Sequence, residues 1–395
     1  MHIRSVIGLQ ALNMAIAQEI YEYSKALDKT GVDNADSDEI KKRIVDSIFV
    51  AYGAKDAVPI KLMQSALLPS QGPHNSPIYF SGQEASVETS AFINGSMTRY
   101  LDYNDTYLSK EALHPSDNIP PILSLSYALG SKGADAIKAI KVAYQVVCSL
   151  SDAVSIRDRG WDHVTYISIS SAAGLGSLMG LENGRFVHAL NLAINNNISL
   201  RQTRAGELSM WKGCTAANAS RNSIFAALLA QKGLTGPAPI FEGEMEFLKQ
   251  VSGAFDLNLA EDRVRKTMIK NYPVEYHAMS GVEAALELKG KVTGAIKEIN
   301  VETFSVANKI IVYNLYNFAG GFVALNNVSS AQLIYGGNYT AFGLFGSAVS
   351  TAACTTQESN CTIQAESSTS NQCVTQVNCT NTYYYINVTS ITKLP

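Results

Sequence analysis

A chain of 395 residues is long enough for two or three domains, or for one large domain with a smaller companion. With 46% hydrophobic and 16% charged residues it is globular with a sizeable core, and a net charge of −3 supplies no basic field for nucleic acid. No stretch of eighteen apolar residues occurs, which argues against a membrane-spanning helix.

In chain order the pattern is helix after helix. The opening MHIRSVIGLQALNMAIA has a basic residue and an apolar run but no convincing cleavage site. It flows into the amphipathic IAQEIYEYSKAL, so it reads as a first helix and not as a signal peptide. Asp36–Ala54 opens on a capping-box-like Asp36-x-x-Glu39 and then places Ile40, Ile44, Val45, Ile48 and Phe49 on one helical face. A turn-rich stretch from Pro69 to Pro77 leads to a helix over Ala85–Leu101. Pro120 and Pro121 fit the first turn of the next helix, which ends at Gly130. Ala134–Val154 is amphipathic, and Ile167–Met179 is mostly Ser, Ala and Gly, a composition that permits close helix packing. Helices follow at Arg185–Asn195, Thr215–Gln231, Glu244–Ser252 and Ser280–Lys289. Two-residue alternation first appears near Ile299–Val306, where a helical domain would give way to a mixed α/β one. Ile40, Ile44, Ile48, Phe92 and Val146 are expected in the core.

Between two of these helices lies RYLDYNDTYLSKEALHPSDNIPP, residues 99–121, which carries Asp102, Asp105, Thr106, His114, Ser116 and Asp117. Its plainest reading is a capped helix–loop–helix, with Asp102 and Ser116/Asp117 as caps. Asp105, His114 and Asp117 also have the donor types of a carboxylate/imidazole metal site.

The same loop resembles the signature loop of the MmgE/PrpD family, whose members include 2-methylcitrate dehydratases and cis-aconitate decarboxylases. Four further stretches match in order: GWDHVTY at 160–166, LRQTRAGELSMWKGCTAANASRN at 200–222, KNYPVEYHAMSGVEAALEL at 270–288 and INVETFSVANKIIV at 299–312. The resemblance covers residues 1 to about 312. It implies a large all-helical domain over 1–275, part of a small α/β lid domain over 276–312, and a metal-independent, cofactor-free lyase. The substrate would be a small di- or tricarboxylate, with 2-methylcitrate dehydration the leading reaction, in a cytoplasmic homodimer joined through the helical domain.

Removing water from a β-hydroxy tricarboxylate requires a base for the C–H proton, cations for the carboxylates and an acid for the departing hydroxide. By the resemblance, Asp102, Thr106, His114 and His163 fall on catalytic positions, with His114 or His163 exchanging the proton and Asp102 orienting a histidine. Arg204, Lys212, Lys270 and His277 fall on substrate-binding positions. Each also has a plain structural reading: Arg204 pairing with Glu207, Lys212 stacking on Trp211, and histidines that are ordinary core or surface residues. No cysteine cluster in this part could hold an iron–sulfur centre.

From Tyr313 onward the character changes. Residues 313–395 hold three charged side chains, Glu358, Glu366 and Lys393, and five N-x-S/T sequons at Asn327, Asn338, Asn360, Asn378 and Asn387. Cys354, Cys361, Cys373 and Cys379 crowd here, whereas Cys148 and Cys214 stand alone upstream. The upstream pattern suits a reducing cytosol, the downstream one an oxidised, exported, β-rich segment. A family motif of the DHSLPY kind is absent, so little or no lyase activity is expected of this chain. The alternative function is a non-enzymatic exported or surface protein acting through its glycosylatable C-terminal segment.

Overall fold

The structure, a computed structural model, describes residues 15–205 and 207–288, Lys291, and the backbone of the strands named below; the side chain of His277 lies outside the described residues. The described chain divides into two compact units, 1–270 and 271–395.

In the first unit, nine α-helices are found among the described residues: α1 Ile16–Thr30, α2 Asn34–Ala54, α3 Val58–Leu67, α4 Val87–Tyr100, α5 Ile119–Leu129, α6 Gly133–Ala153, α7 Val164–Leu178, α8 Asn183–Asn195 and α9 Thr215–Gln231. Its described strands are one antiparallel pair, β1 Asn75–Pro77 with β2 Glu84–Ser86. None of the described helices is long and apolar enough to cross a membrane.

The centre of the unit is α7. Every residue from Val164 to Leu178 is buried, and α6, α8 and α9 pack around it. The small residues expected at 167–179 make this possible. A Cβ on Gly174 would lie 2.9 Å from the Ala139 carbonyl and 3.0 Å from the Ala143 Cβ, so the backbones of α6 and α7 are nearly in contact. Such close packing leaves little room for polar groups except where they are paired.

Helix starts and stops largely follow local chemistry. Pro120 and Pro121 fill the first turn of α5, and Gly130 closes it with φ +63°. Two readings at α2 are corrected. The N-cap is Asp33, whose carboxylate accepts from the Asp36 amide at 2.8 Å; Asp36 is instead buried against Lys141 and Arg265. The buried face of α2 carries Asp36, Ile40, Arg43, Ser47, Val50, Ala51 and Ala54, while Val45 and Phe49 are exposed and Ile44 and Ile48 half-buried. An apolar stripe alone sets the wrong face because the inner face includes a paired arginine. Ile40, Phe92 and Val146 are buried as expected. At Glu244–Ser252 the chain makes only the π-helical turn Leu248–Ser252.

The second unit begins with a 3-10 turn, Tyr276–Ala278, and α10 Met279–Leu288. Strand β3 Ile296–Val301 pairs in parallel with β4 Gln332–Leu333 and antiparallel with β9 Ile391–Lys393. The rest of the expected strand to Val306 lies outside the described residues. A second, antiparallel sheet orders β5 Tyr339–Leu344, β8 Gln372–Cys379, β7 Cys361–Ser367 and β6 Gln357–Glu358.

Candidate active site

The loop after α4 begins with a backbone reversal. Asp102 has φ +52°, in the left-handed region where Asp and Asn are the best-tolerated side chains after glycine. Its amide donates to the Arg99 carbonyl at 3.1 Å, so the carboxylate folds back over the last turn of α4. Arg99 Nη1 waits there at 3.0 Å from Asp102 Oδ1. Asp102 therefore ends one helix and does not cap the next. Ser116 and Asp117 lie in the 3-10 turn Pro115–Asn118, without side-chain capping bonds.

Two more cations converge on the same carboxylate. Lys270 Nζ donates to the Asp102 main-chain carbonyl at 2.6 Å and to Oδ1 at 2.9 Å, and Lys212 Nζ lies 3.3 Å from Oδ2. Burial alone would raise the pKa of Asp102. Arg99, Lys270 and Lys212 together outweigh it and hold the carboxyl well below its ordinary range.

Lys270 is delivered by the segment before it. Met268 exchanges both main-chain hydrogen bonds with Thr106 at 2.8 Å, which lays residues 264–270 alongside the loop. The Thr106 hydroxyl is spent on the Leu113 carbonyl at 3.2 Å.

His114 Nδ1 lies 2.8 Å from the Asp105 main-chain oxygen. A carbonyl only accepts, so the proton sits on Nδ1 and Nε2 is bare; that atom faces Asp102 Oδ1 at 3.7 Å. The orienting group for His114 is thus the Asp105 carbonyl, and Asp102 stands on the opposite nitrogen. Asp105 is itself fixed, its Oδ1 accepting from the Ser116 amide at 2.8 Å and Oδ2 from the Tyr144 hydroxyl at 2.9 Å. With these commitments Asp105 and His114 do not form an open metal site. Among the described residues, metal-type donors gather at Asp33, Asp36 and Asp262, of which Asp36 and Asp262 are already bridged by Lys141 and Arg265 and Asp33 caps a helix.

The second imidazole comes from the start of α7. His163 lies with its ring centre 6.0 Å from that of His114. Its Nδ1 is 3.4 Å from Asp162 Oδ1, and its Nε2 accepts from Arg204 Nη2 at 3.4 Å. Arg204 Nε lies 2.7 Å from Asp162 Oδ2, so its partner is Asp162 and not Glu207. The 160–162 strip and the 199–204 turn are stitched together by Asp162 N to Ser199 O and Arg201 N to Gly160 O. Burial, then Arg99 and Lys270 for His114 and Arg204 for His163, lower both histidine pKa values well below the ordinary 6.5, so both rings are neutral.

Six of the eight positions singled out in the sequence thus meet around Asp102: Asp102 itself with Lys212, Lys270 and His114, and beside them His163 with Arg204. Thr106 is a structural member of the same loop. Trp211 tilts against Phe92, and Lys212 takes Asp102 instead of an aromatic face. Sequence reasoning missed Arg99 and Asp162. The signal for Arg99 was its i,i+3 spacing to Asp102 at a helix end; Asp162 is adjacent to His163 and gave no separate sign. Asp117, read in the sequence as a cap or a metal donor, is instead buried beside Asn104, and burial pushes its carboxyl pKa up to about 7 against the pull of Arg99 and Arg204.

Residues 18–260 match the MmgE/PrpD N-terminal domain, and the chain belongs to the MmgE/PrpD family. It is 28% identical over 286 residues to the probable 2-methylcitrate dehydratase of Saccharomyces cerevisiae, covering 64% of this chain and 54% of that protein. Over 250 residues it is 28% identical to the 2-methylcitrate dehydratase of Escherichia coli K12, covering 56% and 50%. The mitochondrial 2-methylcitrate dehydratase of Yarrowia lipolytica is 28% identical over 272 residues, covering 62% and 52%. The chain spans about half the length of the curated relatives it matches.

Proposed function

We propose that this site eliminates water from a small di- or tricarboxylate, with 2-methylcitrate the first candidate. The observation that carries the reading is the gathering of Arg99, Lys212 and Lys270 on one carboxylate beside two neutral imidazoles. With Arg204 added, the cations outnumber the ionised carboxylates Asp102 and Asp162, leaving positive charge for an anionic substrate to neutralise.

In this scheme Arg204, Lys212 and Lys270 hold substrate carboxylates. The bare Nε2 of His114 takes the proton from the carbon next to a carboxylate, and the negative charge that develops is stabilised by cations already in place. The carbon–oxygen bond then breaks as the double bond forms. The His114 imidazolium, or a proton relayed through His163, converts the departing hydroxide to water. His277, whose side chain lies outside the described residues, is proposed as a substrate ligand on the family resemblance alone.

A cytosolic homodimer belongs to the same reading. Cys148 and Cys214 are buried free thiols, and Asn94 and Asn104, each of which opens an N-x-S/T sequon in the helical domain, are fully buried, where no glycan fits. Val45, Phe49 and Tyr52 on α2 offer an exposed apolar face for self-association, testable by light scattering.

The deciding experiment is turnover by the purified 395-residue chain, with products from 2-methylcitrate, citrate and cis-aconitate identified by NMR. The expected result is binding of 2-methylcitrate or citrate with little or no turnover, any unsaturated tricarboxylate that does form being lost in His114→Ala. A chain that neither converts nor binds any of the three would remove the reading.

A further inference from the structure

Arg43 lies in none of the stretches that carry the family resemblance, yet it sits on the buried face of α2 with 5% exposure. Its guanidinium grips one residue twice: Nε donates to Thr267 Oγ1 at 3.0 Å and Nη2 to the Thr267 carbonyl at 2.8 Å. Nη1 is held by Glu39 Oε2 at 3.0 Å from within the same helix, so the fork cannot swing. The Thr267 hydroxyl donates in turn to the Val264 carbonyl at 2.7 Å, which leaves its lone pair aimed at Arg43.

Thr267 is next to Met268, which pairs with Thr106, and three residues before Lys270, whose ammonium reaches Asp102. The same Nε that donates to Thr267 also lies within ion-pair distance of the turn that sets His114. That atom is 3.9 Å from Asp105 Oδ2, and it is Asp105 whose carbonyl fixes the His114 proton on Nδ1 and whose Oδ1 takes the Ser116 amide. One buried cation thus joins the segment that brings in Lys270 to the turn that orients His114. It touches neither the ammonium nor the ring.

We infer that Arg43 is a positioning residue, keying the Lys270 segment and the Asp105–His114 turn into a single register through Thr267 and Asp105. The inference rests on the reading of Lys270 and His114 as site residues. Small displacements of such groups are costly, since a misplacement of about 1 Å can lower a rate roughly a hundredfold.

The test compares the full chain with Arg43→Met, Arg43→Lys and Thr267→Val, using three readouts. These are hydrogen exchange of the peptide spanning 264–270, the tautomer of His114 from histidine-labelled nitrogen NMR, and citrate affinity by calorimetry. In Arg43→Met, with helical content retained, the Met268 amide should exchange about tenfold faster or more. His114 should lose its single Nδ1–H signature, and citrate affinity should fall about tenfold or more. Arg43→Lys, which keeps one donor toward Thr267, should recover part of each. A folded Arg43→Met with wild-type exchange, tautomer and affinity overturns the inference. If Arg43→Met does not fold, Thr267→Val removes only the hydroxyl end of the grip, and wild-type values there overturn it equally. A wild-type chain that binds no citrate would count against the carboxylate reading of the site, while exchange and tautomer would still decide the role of Arg43.

Discussion

Lys270 crosses 168 residues of sequence to donate to both the main-chain carbonyl and the carboxylate of Asp102. The pairing ties the end of the helical unit to the reversal at the end of α4, and it holds Asp102 at φ +52°. Its removal is expected to affect both fold and binding.

Lys270→Met is therefore expected to lower stability by roughly 1–3 kcal/mol, because a buried carbonyl and part of a buried carboxylate lose their donor while Arg99 and Lys212 remain. Citrate binding should fall more steeply than stability. A double-mutant cycle with Asp102→Asn checks it, since the two changes should be strongly non-additive. Additive losses would show that the pair is not coupled.

Asp117 gives a pH-dependent prediction. Its carboxyl pKa is raised from 3.8 to about 7 by burial. Between those values the folded chain holds a proton that the unfolded chain has released, so this group makes stability fall as pH rises from about 4 to 7. Asp117→Asn removes that slope. Its stability relative to wild type should rise by roughly 1–4 kcal/mol across the window, read from urea midpoints at several pH values. Parallel wild-type and variant profiles would contradict the assignment.

The sequence made the helices legible where local chemistry and periodicity agreed, as at Thr215–Gln231 and in the proline-to-glycine span of α5. It placed the Asp102, His114, His163 and Lys270 segments in one site only through the family frame, because no local rule joins residues 102 and 270. It failed at α2 for a physical reason. Arg43 is a charged residue in an apolar stripe, and its burial is affordable only because Thr267 and Glu39 satisfy it. Such a partner 224 residues away leaves no periodic trace. The tautomer of His114 was equally out of reach, since it depends on the main-chain oxygen of Asp105.

Packing at the centre of the helical unit yields a third prediction. A methyl group at Gly174 would meet the Ala139 carbonyl and the Ile122 Cδ1, both at 2.9 Å. Alanine ordinarily favours helix, so propensity alone predicts a gain of up to about 1 kcal/mol. The contacts are backbone on one side and buried side chain on the other, and overpacking of this kind costs about 1–3 kcal/mol. Gly174→Ala should accordingly be destabilised in a denaturant titration. An unchanged or raised midpoint would mean that α6 and α7 can part without loss.

The last prediction concerns how substrate prepares its own base. In the free protein His114 is neutral because burial, Arg99 and Lys270 all disfavour its charged form, while the negative charge of Asp102 opposes them. Burial stays when an anion binds, but the cationic contribution does not. Carboxylates seated on Lys270 and its neighbours cancel part of the positive field, and a negative charge near Nε2 favours the imidazolium. The His114 pKa should therefore rise on binding, making the ring a stronger base when a proton has to be taken. Two measurements follow from the sign. Citrate should shift the His114 ring titration upward in NMR. In an active preparation the acid limb of kcat, which reports the bound state, should lie at higher pH than that of kcat/KM, which reports the free protein. The His163 ring, with Arg204 at Nε2 and Asp162 at Nδ1, should respond in the same direction once a carboxylate engages Arg204. A His114 titration that stays in place, or moves downward, when citrate is bound would show that the carboxylates do not sit on the cations around Asp102.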